Sequence, residues 1–124
     1  MHELAIAQSI ADVITERATE CNAVRVTEVR LRIGAASGIV GESLRFCFAA
    51  LAELDPRLTG ARLAIEEVPH RAWCARCRAA FDVAEFVARC PACGEWSGQV
   101  LSGQELSIVA MEIEPEGEPR REEE

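Results

Sequence analysis

Lysine and tyrosine are absent from this chain of 124 residues, aromatic residues reach only 5%, and histidine occurs twice. All 13 basic residues are therefore arginines, set against 21 acidic residues for a formal charge of −8. A protein that holds nucleic acid by neutralising phosphates carries the opposite balance. No apolar run approaches the roughly 18 residues of a membrane-spanning helix. The opening MHELAIAQSI lacks a basic segment and carries Glu3, which does not read as a secretory leader. The length is one domain's worth on a scale of roughly 100–200 residues per domain, which excludes a large multidomain enzyme. There is also no Gly-rich phosphate loop and no Ser/His/Asp set, so a catalyst is not expected. These readings point to the cytoplasm, where thiols stay reduced and patterned cysteines bind metal more often than they pair.

Apolar residues make up 49% and charged residues 27%, the balance of a chain that folds around a core. Leu4, Ala7, Ile10, Ala11, Ile14 and Ala18 recur at helical spacing and predict an amphipathic helix over 4–18. Apolar positions at 24 and 26, then at 29, 31 and 33, predict a strand with a phase slip near Thr27 and Glu28, as a bulge or as two short strands. After a turn bracketed by Gly34, Gly38 and Gly41, a second helix is expected over 42–54, with Leu44, Cys47, Phe48, Leu51 and Leu54 on one face and Asp55-Pro56 as its stop. Further strands are expected over 61–68 and 106–113. The expected fold is α+β: a small mixed sheet with two helices over 1–69 and 99–113, with a module of different composition, 70–98, inserted. Residues 114–124 contain only Pro, Gly, Glu and Arg and read as an acidic, disordered tail.

The inserted module contains Cys74-Ala75-Arg76-Cys77 and Cys90-Pro91-Ala92-Cys93. Two C-x-x-C turns offer four thiolates to one ion, the closed ligand set of a structural zinc site. Gly94 permits the backbone conformation that turns amides toward the sulfurs. Residues 81–87 can form a short hairpin between the knuckles, with Phe81, Val83, Trp73 and Trp96 as the packing groups. So short a segment cannot bury enough apolar surface to fold alone, and metal binding supplies the deficit. A redox pair, two disulfides and an iron-thiolate centre are the alternatives, of which iron in the same four sulfurs is the hardest to separate from zinc. Cys21 and Cys47 fall outside the pattern and read as structural, Cys47 as a small core residue.

His2 stands beside the amino terminus. Because His is too large a second residue for ordinary methionine removal, Met1 is expected to remain, with its amine next to His2. That amine, the deprotonated backbone nitrogen of His2 and the imidazole can chelate one ion in fused rings, and the backbone nitrogen of Glu3 can complete a plane. Four nitrogens in a plane favour Ni(II) or Cu(II) over zinc. The Glu3 carboxylate is available as a further oxygen donor or as a group holding the imidazole. Such a site gives up its ion in acid, as suits a carrier.

Met1-His2-Glu3 opening a helix, the strand from Arg25 to Gly34, the helix around Ser43-Leu44-Arg45-Phe46-Cys47-Phe48, and the two C-x-x-C pairs in order resemble the HypA/HybF family of hydrogenase nickel-incorporation proteins, over about residues 1–113. The resemblance implies a small cytoplasmic metallochaperone that binds nickel at its N-terminus and carries a structural zinc in the ribbon. It further implies nickel insertion into the large subunit of nickel-iron hydrogenase during maturation, alongside a HypB-type GTPase, with some relatives also serving urease maturation. Carried over by position, the nickel residues are Met1, His2 and Glu3, and the zinc ligands are Cys74, Cys77, Cys90 and Cys93. None of these positions departs from the family pattern.

The competing reading is a zinc-ribbon module that binds nucleic acid or protein, kept open by Arg71, Arg76, Arg78 and Arg89 around the knuckles. The acidic remainder and an expected lack of exposed aromatic stacking groups weigh against nucleic acid. A local Arg patch on an acidic protein fits an acidic partner surface better.

Overall fold

The computed structural model describes residues 2–115. Met1 and residues 116–124 lie outside the described residues, and of the tail expected over 114–124, Glu114 and Pro115 instead belong to the last strand. The order is α1 (Glu3–Glu20), β1 (Ala23–Gly34), α2 (Gly41–Ala52), β2 (Arg62–Val68), β3 (Arg71–Cys74), β4 (Ala79–Asp82), β5 (Val100–Ser102) and β6 (Leu106–Pro115). Two three-stranded sheets result, ordered β2-β1-β6 and β4-β3-β5. The α+β class and both helices follow the sequence pattern. The chain divides into two compact units: one runs to Leu31, takes Val40–Ile65 and resumes at Ile108, while the other holds Arg32–Ile39 and Glu66–Ser107.

In the first unit, α1 buries Ala7, Ile10, Ala11, Ile14 and Ala18, the stripe its spacing predicts, although Leu4 is exposed. Glu3 in its first turn and Arg17 in its last complement the helix dipole. α2 buries Leu44, Phe48 and Ala52, so its apolar stripe is narrower than expected. Cys47 is only half-buried rather than a core residue, and Leu54 lies beyond the helix end in solvent. The helix stops because Asp55 folds back on the chain, its carboxylate accepting the N–H of Arg57 at 2.9 Å. The other extra cysteine, Cys21, follows the last residue of α1 and is exposed.

β1 is one continuous strand, and the phase slip falls inside it, with Val26, Glu28, Val29, Leu31 and Ile33 all buried. The slip is tolerated because the inward carboxylate of Glu28 is paired, with Arg62 and with Arg30 at 3.0 Å. The Arg62 guanidinium, aided by that of Arg30, holds the Glu28 carboxyl below the usual carboxylate range.

The unit around the cysteines is larger than residues 70–98, for a backbone reason. Gly34 donates to the carbonyl of Glu105 at 2.8 Å, Ala35 to Val68 at 2.8 Å and Ala36 to Gly103 at 2.7 Å, while β5 pairs with β3. A Cβ on Gly34 would stand 2.0 Å from the carbonyl oxygen of Gly103, which is backbone and cannot swing aside. Gly34→Ala is therefore expected to destabilise the protein by about 1–3 kcal/mol or more, read as a lowered urea midpoint with unchanged slope.

Candidate metal centre

β3 and β4 pair antiparallel with Cys74 opposite Ala79, so the first C-x-x-C forms the turn of that hairpin. The N–H of Arg78 closes the knuckle onto the carbonyl of Cys74 at 2.7 Å, and the second knuckle repeats the pattern, Gly94 donating to Cys90 at 2.8 Å. The closing residue has positive φ in both, 79° at Gly94 and 58° at Arg78. Gly94 thus does what its position predicts. Its counterpart Arg78 adopts the same conformation without being glycine, which the sequence did not signal.

These turns converge the thiols. Cys74 Sγ lies 3.6 Å from Cys93 Sγ and Cys77 Sγ lies 3.8 Å from Cys90 Sγ. All four sulfurs fall within 4.8 Å of one another. A tetrahedral zinc with Zn–S bonds of about 2.3 Å separates its sulfurs by about 3.8 Å, close to the two shortest separations here, so the four thiols are placed to hold such an ion. The N–H of Cys77 points at Cys74 Sγ from 3.3 Å, as expected of an amide that stabilises thiolate charge. Without metal the thiols compete for protons: neighbouring Cys93, Cys90 and Cys74 push the Cys77 thiol up to about 12, whereas the N–H of Cys93 draws Cys90 down to about 7.

The packing around this cluster is thin. Its buried core is Ala72, Cys74, Phe81 and Cys90, with Val83, Ala88 and Cys93 packed against it. Phe81 and Val83 take the positions expected of them, and Trp73 is half-buried, but Trp96 is 68% exposed and is not a packing group. The hairpin expected over 81–87 is reduced to one bridge, Ala84 to Val87. Its turn residues Glu85 and Phe86 have φ of 54° and 64°, the pattern of a tight two-residue turn, and Phe86 faces solvent.

Exposed aromatics are thus present on the ribbon, contrary to the sequence-based expectation. The Arg patch is largely engaged, however. Arg71 pairs with Asp82, and Arg76 with Glu95 at 3.3 Å. Arg89 donates to the Gly94 carbonyl at 2.9 Å and lies over the Trp96 ring at 5.2 Å.

At the other proposed site, His2 is exposed at the N-cap of α1 and makes no side-chain capping bond. The first helical hydrogen bond runs from the Ile6 N–H to the His2 carbonyl at 3.1 Å. The Glu3 carboxylate accepts the N–H of Val40, the N-cap of α2, at 2.9 Å. That bond holds the Glu3 carboxyl below the usual carboxylate range. The two neighbours therefore face different tasks: the imidazole is open to solvent, while the Glu3 side chain ties the start of α1 to the start of α2.

A four-thiolate centre of closed geometry on a small α+β frame defines a zinc-ribbon metalloprotein. The comparisons with known proteins narrow that class. The sequence profile of the family described as "Hydrogenase/urease nickel incorporation, metallochaperone, hypA" matches residues 1–113. A hydrogenase maturation factor HypA of Chlorobaculum parvum is 41% identical over 114 residues, covering 92% of this chain and 100% of that protein. One from Chloroflexus aurantiacus is 44% identical over 113 residues, covering 90% and 98%. The solution structure of the Ni metallochaperone HypA from Helicobacter pylori shares the fold, with a TM-score of 0.65 at 22% identity over 94% of this chain and 100% of that one. The chain belongs to the HypA family of nickel metallochaperones and maturation factors.

Proposed function

We propose that this protein is a carrier, not a catalyst, which binds Ni(II) at its N-terminus and delivers it to the large subunit of nickel-iron hydrogenase. The observation that carries this reading is the state of His2, a solvent-facing imidazole at the first residue before a helix, within a chain of the nickel-incorporation family.

The helix start suits the chemistry. The leading N–H groups of an α-helix have no intrahelical acceptor, so the backbone nitrogens of His2 and Glu3 can lose their protons to nickel without breaking a helical hydrogen bond. With the amine of Met1 and the His2 imidazole they complete a planar nitrogen set of the kind Ni(II) favours. Glu3 joins through its backbone nitrogen, and its carboxylate, held by Val40, fixes where the site sits.

Cys74, Cys77, Cys90 and Cys93 hold zinc as a structural ion. Four thiolates leave it no open position for a water, so the ion organises the ribbon and takes no part in chemistry. Energy for release comes from elsewhere, which fits a HypB-type GTPase as partner, with urease maturation proteins as a further class of partner. The proposed nickel residues belong to the compact unit that also takes Val40–Ile65 and resumes at Ile108, and the proposed zinc ligands to the unit that holds Glu66–Ser107.

Complementation tests the delivery step. In cells lacking their own protein of this family, the full chain should restore hydrogenase activity and His2→Ala should not, while excess nickel in the medium narrows the difference. Equal rescue by His2→Ala in scarce nickel would contradict nickel delivery through His2.

A further inference from the structure

The four sulfurs of the ribbon meet solvent unequally. Cys74 ends β3 and is 3% exposed, Cys90 is 5% exposed, and Cys93 is half-buried. Cys77 lies in the turn between β3 and β4, where residues 75–78 are all exposed. The surroundings of the sulfurs differ in the same sense. The N–H of Cys77 points at Cys74 Sγ from 3.3 Å, those of Cys93 and Ala92 serve Cys90, and that of Glu95 serves Cys93. What acts on the Cys77 sulfur is chiefly the other three sulfurs. An amide that donates to a thiolate takes up part of its charge and leaves it a weaker nucleophile. Exposure and the absence of that restraint coincide at one ligand of the four.

From this asymmetry we infer that Cys77 is a modification site, the thiolate at which a hydroperoxide oxidises the ribbon and thereby releases its ion. The inference rests on the assignment of zinc to the four cysteines. Coordination keeps the thiolate charged at neutral pH. A solvent-facing thiolate with a second sulfur beside it has the arrangement of a redox-sensitive cysteine, and Cys90 Sγ lies 3.8 Å from Cys77 Sγ.

The chemistry balances in two steps. The Cys77 thiolate attacks the terminal oxygen of the hydroperoxide: an S–O bond forms, the O–O bond breaks, and the departing alkoxide takes a proton from water to become an alcohol. The sulfur, oxidised by two electrons, is left as a sulfenic acid. The Cys90 sulfur then attacks that of Cys77, so that an S–S bond forms, the S–O bond breaks, and hydroxide leaves and is protonated to water. Two thiolates, one hydroperoxide and two protons have become one disulfide, one alcohol and one water. Cys74 and Cys93 alone do not make up the closed four-ligand set, so the ion is lost.

The test treats zinc-loaded full chain with limiting tert-butyl hydroperoxide, follows zinc with a colorimetric chelator, and maps the oxidised cysteines by mass spectrometry, with dimedone added in a parallel sample to trap sulfenic acid. Cys21→Ser serves as the parent, because Cys21 is a second exposed thiol that consumes reagent. Zinc should appear in step with a Cys77–Cys90 disulfide, and dimedone should mark Cys77 before any other ligand. Cys21→Ser/Cys77→His keeps four donors of the kind zinc accepts and removes the exposed thiolate, so it should hold zinc and release it to peroxide slower by about tenfold or more. First modification at Cys74, Cys90 or Cys93, or zinc release from the histidine variant as fast as from its parent, overturns the inference and leaves the zinc assignment standing. Should the histidine variant fail to hold zinc, the order of modification in the parent decides alone. A parent that carries no zinc overturns the assignment and the inference together.

Discussion

Cys90→Ser is expected to empty the ribbon of zinc and unfold it. Two of the four residues in the buried core around this site, Cys74 and Cys90, are themselves proposed ligands. Removing one sulfur therefore costs both packing and metal. Zinc binding in small four-ligand peptides is worth on the order of 10–16 kcal/mol, far beyond what Ala72 and Phe81 can supply by burial. Measured zinc should fall from about one ion per chain to almost none, and protease should cut between the knuckles where the wild type resists. The helical circular dichroism signal should persist, because α1 and α2 rest on Ile14, Leu44 and Phe48 in the other compact unit.

Acid should produce the same loss in the wild type. Zinc needs thiolates, and the metal-free cluster holds its protons tightly at Cys77, whose thiol is pushed up to about 12. Binding must displace those protons, so affinity falls as pH falls, and a colorimetric chelator should extract zinc faster at pH about 5 than at pH about 8. A variant lacking Cys90 that retained zinc and protease resistance would show that the cluster is not what holds the ribbon together.

Much of the frame was legible because burial imposes a period. Ala7, Ile10, Ile14 and Ala18 marked α1, and the slip between Val26 and Val29 marked the place where Glu28 turns inward. The cysteine spacing disclosed the four-sulfur cluster, since two tight turns have few ways to converge. What the pattern missed depends on contacts between residues far apart in sequence. Leu54 continues the α2 stripe in sequence, but the helix ends before it. Trp96 looked like a packing group and instead carries Arg89 over its exposed ring. Phe86, apolar and placed mid-segment, sits at a turn whose positive φ no glycine announced. The short strand β5 rests on pairing with β3 across a long loop, which leaves no periodic trace in three residues.

The N-terminal site was read from residue chemistry and family resemblance, and the geometry adds to it a free imidazole and a Glu3 carboxylate committed to Val40. If the amine of Met1 is a ligand, moving it away must destroy the site, and so must removal of the imidazole. His2→Ala and a chain lengthened by a few residues ahead of Met1 should therefore both bind nickel far more weakly than wild type, by about a hundredfold or more, with zinc content and fold unchanged.

The measurement that bears most directly on the carrier reading is a nickel titration of untagged, zinc-loaded protein beside these two variants, followed by visible absorption. The account predicts about one nickel per wild-type chain, with the weak d–d band of a planar nitrogen site, and the loss of that band in both variants. Equal nickel binding by the lengthened chain would contradict it, because the amine of Met1 would then not be a ligand.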